Sequence, residues 1–434
     1  MTTTAQTPTT ASPGPAGLNW ARNLAYAASR FAEPTSIGEL QQLVAEAPQV
    51  SALGSRHSFT RIADTSGLLV SVARLPGAVT VAPTADGRSG VASVPAGMRY
   101  AEVASALDAQ GWALGAMASL PHISIAGAIA TGTHGSGDAA GSLATAVVGL
   151  ELVRSDGSVA TIRRGDEGFD GAVVSLGALG VVVRVELAVE PSYAMTQVVD
   201  LDLPWDAALA DLDAVMGSAT SVSLFTNWSR SDLIDQVWRK SRVTPEASGA
   251  PGPLDRAVRA GAAEHPLRGQ PAPNCTDQSG EPGPWFERLP HFRPEFTPSN
   301  GDELQSEYFV PREHAVAALS AMRAHGPAIE GLLQVSEVRS IRGDELWLSG
   351  AFGGDVIGIH FTWMPDEPAV RAALPGIESV LAPFGARPHW GKVFTMDPAA
   401  VAARYPRWES FRALRAEWDA RGALRGPLLQ HWGV

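Results

Sequence analysis

Ionisable and hydroxyl side chains alternate with apolar ones in three short segments of the C-terminal half. Because alternate side chains of a β-strand share one face, an extended conformation would place the polar members of each segment together. These members are Glu337 and Arg339 in the first segment, His360 and Thr362 in the second, and Lys392 in the third. Buried charges are costly unless they are paired or used. A wall of such groups would suit a ligand rich in hydroxyls and predicts a polyol pocket.

The third segment contains an unusual residue for this sequence. Residues 388–394 are predicted as a strand that presents Trp390, Lys392 and Phe394 on one face. Lys392 and Lys240 are the only lysines among 33 Lys and Arg residues. A lysine can lose its proton when it is desolvated, whereas an arginine does not. This property makes Lys392 a candidate for proton transfer as well as for charge stabilisation.

Each polar residue of the wall also has a purely structural interpretation. Glu337 and Arg339 could form a structural ion pair, His360 could be a satisfied core histidine, and Lys392 could be solvated. The histidines and acidic residues show no spacing typical of a metal site. The sequence therefore predicts no metal.

A second chemical feature lies in residues 118–137, which combine glycines with hydroxyl and imidazole side chains and almost no charge. Glycines let backbone N–H groups approach a bulky ligand closely. Residues 135–140 fit the loose G-x-G-x-x-A dinucleotide pattern, but that pattern needs a preceding strand and a following helix. Here a long loop precedes it and an apolar, Val-rich run follows, so a nicotinamide-type site is the weaker interpretation.

An earlier loop of small residues surrounds His57. The apolar run 50–53 opens into Gly54-Ser-Arg-His-Ser-Phe59, and loops of this kind present several N–H groups to one anion. Two such loops could hold a pyrophosphate from both sides.

The GSRHSF loop and the segment SLPHISIAGAIATGTHGSG resemble the flavin-binding motifs of FAD-linked oxidases of the vanillyl-alcohol oxidase type. With the later segments, they closely resemble the actinobacterial alditol oxidases, which act on xylitol and sorbitol. The likeness runs from about residue 19 to about residue 405. It implies an α+β, two-domain fold, FAD joined covalently to His57, and Ser119 beside the flavin ring.

The resemblance also implies two sets of site residues. The cofactor set is Gly54, Ser55, Arg56, His57, Ser58, Phe59, Ser119, Ser124, Gly127, Ala130, Thr131, Gly132, Thr133, His134, Gly135 and Val181. The catalytic and substrate-binding set is Ser119, Glu337, Arg339, His360, Thr362 and Lys392.

The implied reaction transfers a hydride from the terminal CH₂OH of an alditol to flavin N5, and reduced flavin then reduces O₂ to hydrogen peroxide. An alcohol is a very weak acid, so a positive field and a base are needed. Lys392 and Arg339 would supply the field, Glu337 and Ser119 would fix hydroxyls, and either His360 or Lys392 would accept the proton. Two alternatives are an aldonolactone-type flavin dehydrogenase with another electron acceptor and a flavin- or sugar-binding protein without turnover.

Composition narrows the class of protein. A chain of 434 residues with 45% hydrophobic and 18% charged residues is typical of a globular protein of two domains. Its net charge of −12 argues against nucleic acid as a partner. The single cysteine excludes an internal disulfide, and no segment is typical of a signal peptide or a membrane span. We expect a cytoplasmic monomer without a membrane partner.

The hydrophobic patterns predict how the chain is organised. We expect a disordered tail over residues 1–18, an FAD-binding domain over 19–191, a sheet-based substrate domain over 192–395, and a helical return to the FAD domain over 396–434. A proline-rich segment, 244–301, ends in an aromatic run that predicts a cover over the site. Residues 419–423 depart from the Asp-Pro-x-Gly-Lys-like turn found in many such oxidases.

Overall fold

A computed structural model describes residues 14–230, 232–243, 253–296 and 303–434. Its strands are β1 (Arg30–Ala32), β2 (Val50–Ala52), β3 (Leu68–Val70), β4 (Thr80–Pro83), β5 (Gly90–Pro95), β6 (Trp112–Ala113), β7 (Val147–Val153), β8 (Val159–Arg163), β9 (Val181–Pro191), β10 (Ala194–Pro204), β11 (Ser221–Thr226), β12 (Leu233–Arg242), β13 (Val258–Arg259), β14 (Gly283–Pro284), β15 (Leu304–Pro311), β16 (Leu333–Ile341), β17 (Val356–Trp363) and β18 (Arg387–Pro388). Its helices are α1 (Ile37–Glu46), α2 (Tyr100–Asp108), α3 (Ile125–Ala130), α4 (Phe169–Val173), α5 (Trp205–Ala210), α6 (Leu212–Met216), α7 (Ala315–His325), α8 (Glu367–Leu381), α9 (Pro398–Ala402), α10 (Trp408–Trp418) and α11 (Pro427–His431).

Two sheets organise the N-terminal part of the chain. A parallel three-stranded sheet has the order β1-β3-β2, and the loop with His57 leaves the carboxyl end of β2. An antiparallel sheet follows the order β4-β5-β9-β7-β8, with β6 paired to β9. The stretch 118–137 was predicted as a loop, but it contains the short helix α3.

A nine-stranded antiparallel sheet carries the second half of the described chain. Its order is β13-β10-β12-β11-β16-β17-β15-β18, with β14 on the outer edge of β10. Its register places Glu337 opposite His360, and His360 opposite Glu307. Residues directly opposite each other in an antiparallel pair share a face. These three ionisable side chains therefore form one row across three adjacent strands.

The C-terminal helices complete the core of the N-terminal part. Val401, Phe411 and Leu429 pack in one apolar cluster with Val94 and Val147. The departure at residues 419–423 forms a tight turn in which the Asp419 carboxylate accepts hydrogen bonds from the N–H groups of residues 423 and 424. The Arg421 guanidinium donates to the Ala45 carbonyl at 2.7 Å. This turn fastens the C-terminus to the end of α1.

Several predicted elements are confirmed and two are wrong. The segments with Glu337 and Arg339 and with His360 and Thr362 form strands β16 and β17 as predicted, and the α+β class is confirmed. The hydrophobic pattern predicts a single helix over residues 205–216, but the helix is broken at Asp211, which has a φ of −149° and caps α6 by accepting from the Ala214 N–H.

The strand predicted over 388–394 is also wrong, because only its first residue continues the sheet. The chain turns there, with the Lys392 N–H donating to the His389 carbonyl at 3.0 Å. Trp390 enters the core and stacks on Tyr405, with ring centroids 5.0 Å apart. Lys392 reaches Glu307 instead, so Trp390 and Lys392 do not share a face.

The expected disordered tail, residues 1–18, lies partly outside the described residues. Its described end is packed, since Ala16 is buried and its carbonyl accepts a hydrogen bond from the Arg56 guanidinium. None of the described helices combines the length and the apolar character needed to span a membrane.

Removing the Trp390 side chain tests the packing of the C-terminal helices. Trp390 is 1% exposed, and its indole N–H donates to the Leu348 carbonyl at 2.7 Å. We expect Trp390→Ala to lower the free energy of unfolding by about 3–5 kcal/mol in urea titrations followed by circular dichroism. Phe296→Ala, at a side chain that is 40% exposed, should cost less than about 0.5 kcal/mol. Equal losses in both variants would contradict the packing described.

Candidate active site

A cavity of about 510 Å³ lies between the glycine-bearing loops and one face of the nine-stranded sheet. This volume is typical of cofactor and ligand sites. The predicted residues that line it are Gly54, Ser55, Arg56, His57, Ser58, Phe59, Ser119, Ser124, Gly127, Ala130, Thr131, Thr133, His134, Glu337, Arg339, His360, Thr362 and Lys392. The fold thus brings both predicted sets of residues to one space.

Three predicted cofactor residues do not line the cavity. Val181 is fully buried in an apolar core, and its neighbour Val182 faces the cavity instead. Gly132 has a φ of +67°, which favours glycine for backbone reasons. A Cβ on Gly135 would lie 2.5 Å from the Met117 carbonyl oxygen. These two glycines shape the loop rather than contact the cavity.

The two glycine-bearing loops touch each other directly. Ser55 Oγ accepts from the Ser124 N–H at 3.0 Å, and Ser124 Oγ accepts from the Ser55 N–H at 3.2 Å. A Cβ on Gly54 would lie 2.5 Å from Ser124 Oγ, and a Cβ on Gly127 would lie 3.7 Å from the Gly54 Cα. Only glycine permits this approach, which leaves backbone groups facing the cavity. The loops therefore fit a pyrophosphate-bearing cofactor.

His57 is a neutral imidazole facing the cavity. Burial lowers its pKa to about 4. Its Nδ1 lies 3.1 Å from Ser55 Oγ, and its buried Nε2 has no hydrogen-bond partner among the described residues. Trp20 stacks on the ring at a centroid distance of 5.3 Å. An oriented, unprotonated imidazole of this kind can act as a nucleophile.

The Arg56 side chain makes its contacts with the N-terminal segment. Its guanidinium donates to the Ala16 carbonyl and lies over the Tyr26 ring, 5.7 Å from the ring centroid. The side chain therefore anchors the segment that contains Ala16 and Leu18.

Glu307 is the centre of the polar wall, and the sequence analysis did not identify it. Its side chain is fully buried, with Oε1 2.6 Å from Arg339 Nη2 and 3.1 Å from His134 Nε2, and Oε2 2.6 Å from Lys392 Nζ. Burial raises the pKa of Glu307, but the charges of Arg339 and Lys392 outweigh it and hold the pKa well below its usual value. Glu307 is thus an ionised carboxylate. Its position opposite His360 follows from the register of β15 and β17, which the sequence alone does not reveal.

The predicted pair Glu337 and Arg339 share a face, as expected. Glu337 Oε2 lies 3.6 Å from Arg339 Nε, and its Oε1 lies 2.8 Å from His291 Nε2. Burial raises the pKa of Glu337, but Arg339 and His291 more than offset this and lower it. Arg339 Nη1 lies 3.5 Å from Ser119 Oγ. His291 was not predicted as a site residue, although this histidine lies in the aromatic run predicted to cover the site.

His360 has a defined tautomer. Gln305 Nε2 donates to Glu303 Oε1 at 2.6 Å, so Gln305 Oε1 is left to accept from His360 Nε2 at 3.1 Å. Nδ1 of His360 is then the unprotonated nitrogen, and it has no partner among the described residues. Burial and the charge of Lys392 lower the pKa of His360 well below its usual value.

Comparison with known proteins agrees with this arrangement. The FAD binding domain family matches residues 28–163, which include both glycine-bearing loops. The D-arabinono-1,4-lactone oxidase family matches residues 302–432, which include the polar wall. A solvent-stable cholesterol oxidase has a similar structure, with a TM-score of 0.77 over 96% of this chain and 97% of that chain at 15% identity. The fold is therefore confirmed as that of a two-domain FAD-linked oxidase of the vanillyl-alcohol oxidase type.

Sequence relatives narrow the assignment. The L-gulono-1,4-lactone dehydrogenase of Mycobacterium tuberculosis is 28% identical over 93% of this chain and 96% of its own length. The alditol oxidase of a Streptomyces species is 46% identical over 95% of this chain and 97% of its own length. The chain is thus an FAD-dependent oxidoreductase, and it belongs to the alditol oxidase family.

Proposed function

We propose that this chain oxidises the terminal primary alcohol of alditols such as xylitol and sorbitol to the aldose, with O₂ reduced to hydrogen peroxide. The observation that carries the proposal is the charge-paired wall around Glu307, which faces the glycine-bearing loops across one cavity. The relative named alditol oxidase supports the substrate class. When bound, FAD supplies the hydride acceptor and delivers the electron pair to O₂.

The wall suits a small molecule with several hydroxyls. Glu337 is an acceptor, whereas Arg339 and Lys392 are donors, and Ser119 and Thr362 can both donate and accept. All five line the same cavity. Because Glu307 already neutralises much of the positive charge, the wall favours a neutral polyol over an anionic substrate.

The proton acceptor in this proposal is His360. Lys392 Nζ is held 2.6 Å from Glu307 Oε2, an ion pair that favours the ammonium form although burial lowers the pKa of Lys392. His360 is neutral, and its Nδ1 is available to accept a proton. Lys392 and Arg339 then stabilise negative charge that develops on the alcohol oxygen.

The attachment of FAD to His57 is a second part of the proposal. Three observations support it: the imidazole is neutral, its Nε2 has no partner in the described part of the chain, and the ring lines the cavity. Attachment would keep the flavin in place and would raise its tendency to accept electrons, which would help when the donor is an unactivated alcohol.

Anaerobic addition of xylitol tests the function. We expect the flavin absorption of the purified protein to bleach when xylitol is added without oxygen. The absorption should return when air is admitted, and hydrogen peroxide should be formed. L-gulono-1,4-lactone serves as the competing substrate. Bleaching by the lactone alone, with electrons passed to a dye rather than to O₂, would favour an aldonolactone dehydrogenase. No bleaching by either would leave a binding protein without turnover.

The His57→Ala variant tests the covalent bond. Native protein should remain yellow after denaturing electrophoresis or acid precipitation, whereas His57→Ala should release all of its flavin. His122→Ala, at another histidine near the same loops, is the matched control and should keep the flavin attached. Flavin that washes off the native protein would refute the attachment.

His360→Gln tests the choice of base. We expect the rate of anaerobic flavin reduction to fall by about 10²–10⁴-fold, with flavin content unchanged, whereas the exposed control His431→Gln should have no effect. An unchanged rate of flavin reduction in His360→Gln would indicate that Lys392 is the proton acceptor.

The pH dependence of the same step follows from the direction of the His360 shift. A histidine whose pKa is lowered in the folded protein is already unprotonated at its usual pKa of about 6.5. The reduction rate should therefore stay level between about pH 6 and 8, and decline only below that range. A loss centred near the usual histidine pKa would contradict the burial described for His360.

A further inference from the structure

Lys240 is a fully buried lysine that does not line the cavity. It lies on β12 and is 1% exposed. Its Nζ is 2.5 Å from the Leu289 carbonyl oxygen, 2.9 Å from the Pro290 carbonyl oxygen and 2.9 Å from His291 Nδ1. Burial lowers the pKa of Lys240 to about 7, but the three acceptors around Nζ match the three N–H donors of the ammonium form. All three acceptors belong to residues 289–291, which we call the cover segment.

The contact with Lys240 determines which nitrogen of His291 carries the proton. An ammonium can donate but cannot accept, so His291 Nδ1 must be the acceptor. The proton of the neutral ring is then on Nε2, which lies 2.8 Å from Glu337 Oε1. Burial and the charge of Lys240 lower the pKa of His291 to about 4, so the ring is neutral near pH 7. One chain of hydrogen bonds thus runs from Lys240 through His291 to Glu337.

The cover segment also contacts the cofactor loop. The N–H of His291 donates to the Ser119 carbonyl at 3.1 Å, and the N–H of Phe292 lies 3.3 Å from the same oxygen. Lys240 therefore joins three parts of the molecule: the sheet, the cover segment and the loop that carries Ser119. Its removal would leave the His291–Glu337 contact as a remaining link between the cover segment and the sheet.

We propose that Lys240 is a positioning residue, which fixes His291 in the Nε2–H tautomer and so holds the Glu337 carboxylate in place for substrate. The importance of Glu337 for binding rests on the proposed function, but the tautomer of His291 does not. Without the Lys240 donor, His291 can place its proton on Nδ1. Its Nε2 lone pair would then face the Glu337 carboxylate, and Glu337 would lose its donor.

The first test reads the tautomer directly. In the flavin-loaded protein labelled with ¹⁵N-histidine, ring nitrogen shifts distinguish protonated from unprotonated positions, and His291→Gln assigns the signals. We expect native His291 to carry its proton on Nε2 at pH 7, and Lys240→Met to shift the population toward Nδ1–H. A native ring protonated on Nδ1, or a tautomer unchanged in Lys240→Met, would overturn the proposal whether or not alditols are substrates.

The second test separates the donor from the bulk of the side chain. Lys240→Gln keeps an N–H donor without the charge, whereas Lys240→Met keeps only the length. Because a hydrogen bond to a charged group is worth enough to change affinity by about tenfold, we expect Lys240→Met to raise KM for xylitol by about that factor with a smaller change in kcat. Lys240→Gln should stay close to the native KM. Equal losses in both variants would exclude the donor role.

A double-mutant cycle completes the design. Gln at position 291 can donate to Glu337 through its own amide, without help from Lys240. In the His291→Gln background, Lys240→Met should therefore change KM less than about twofold. The same tenfold rise in both backgrounds would show that Lys240 acts by another route. If Lys240→Met does not fold, Lys240→Gln replaces it in both tests. The proposal then requires that the His291 tautomer and the KM for xylitol stay close to those of the native protein.

Discussion

The site depends on one buried carboxylate. Glu307 has no exposed side-chain surface and holds Arg339 and Lys392 at 2.6 Å each. Removing one partner from a buried charge pair costs about 3–5 kcal/mol, because the other charge is left without compensation. Two cations that would otherwise repel each other are thereby kept side by side at the cavity. These charged side chains are in place before any substrate binds, so the reaction needs little reorganisation of the wall.

Glycine makes the opposite side of the cavity possible. The loop after β2 and the loop before α3 approach so closely that a Cβ on Gly54 would lie 2.5 Å from Ser124 Oγ. Gly358 has a related role in the sheet, since a Cβ there would lie 3.1 Å from Glu307 Oε1. Small residues thus leave space for backbone donors in the glycine-bearing loops and for the buried Glu307 carboxylate in the sheet. The cofactor and the wall can then face each other at short range.

Much of the site could be predicted because it follows local rules. The period of two in β16 placed Glu337 and Arg339 on one face, and the small residues around His57 indicated an anion-binding loop. The period of two gave a wrong prediction for residues 388–394, because this apolar run has Gly391 in its middle and folds as a turn. Glu307 and His291 were missed for a different reason. Their roles arise from partners on other strands and segments, and such pairings depend on register and on loop packing that one sequence does not reveal.

The rate of flavin reduction in Glu307→Gln, measured anaerobically with xylitol, tests the central claim most directly. Glutamine keeps the shape of the side chain but cannot neutralise Arg339 and Lys392. We expect the rate to fall by about 100-fold or more while the flavin remains bound. Glu186→Gln, in the exposed pair with Arg163, should leave it unchanged. A native rate in Glu307→Gln would contradict the account.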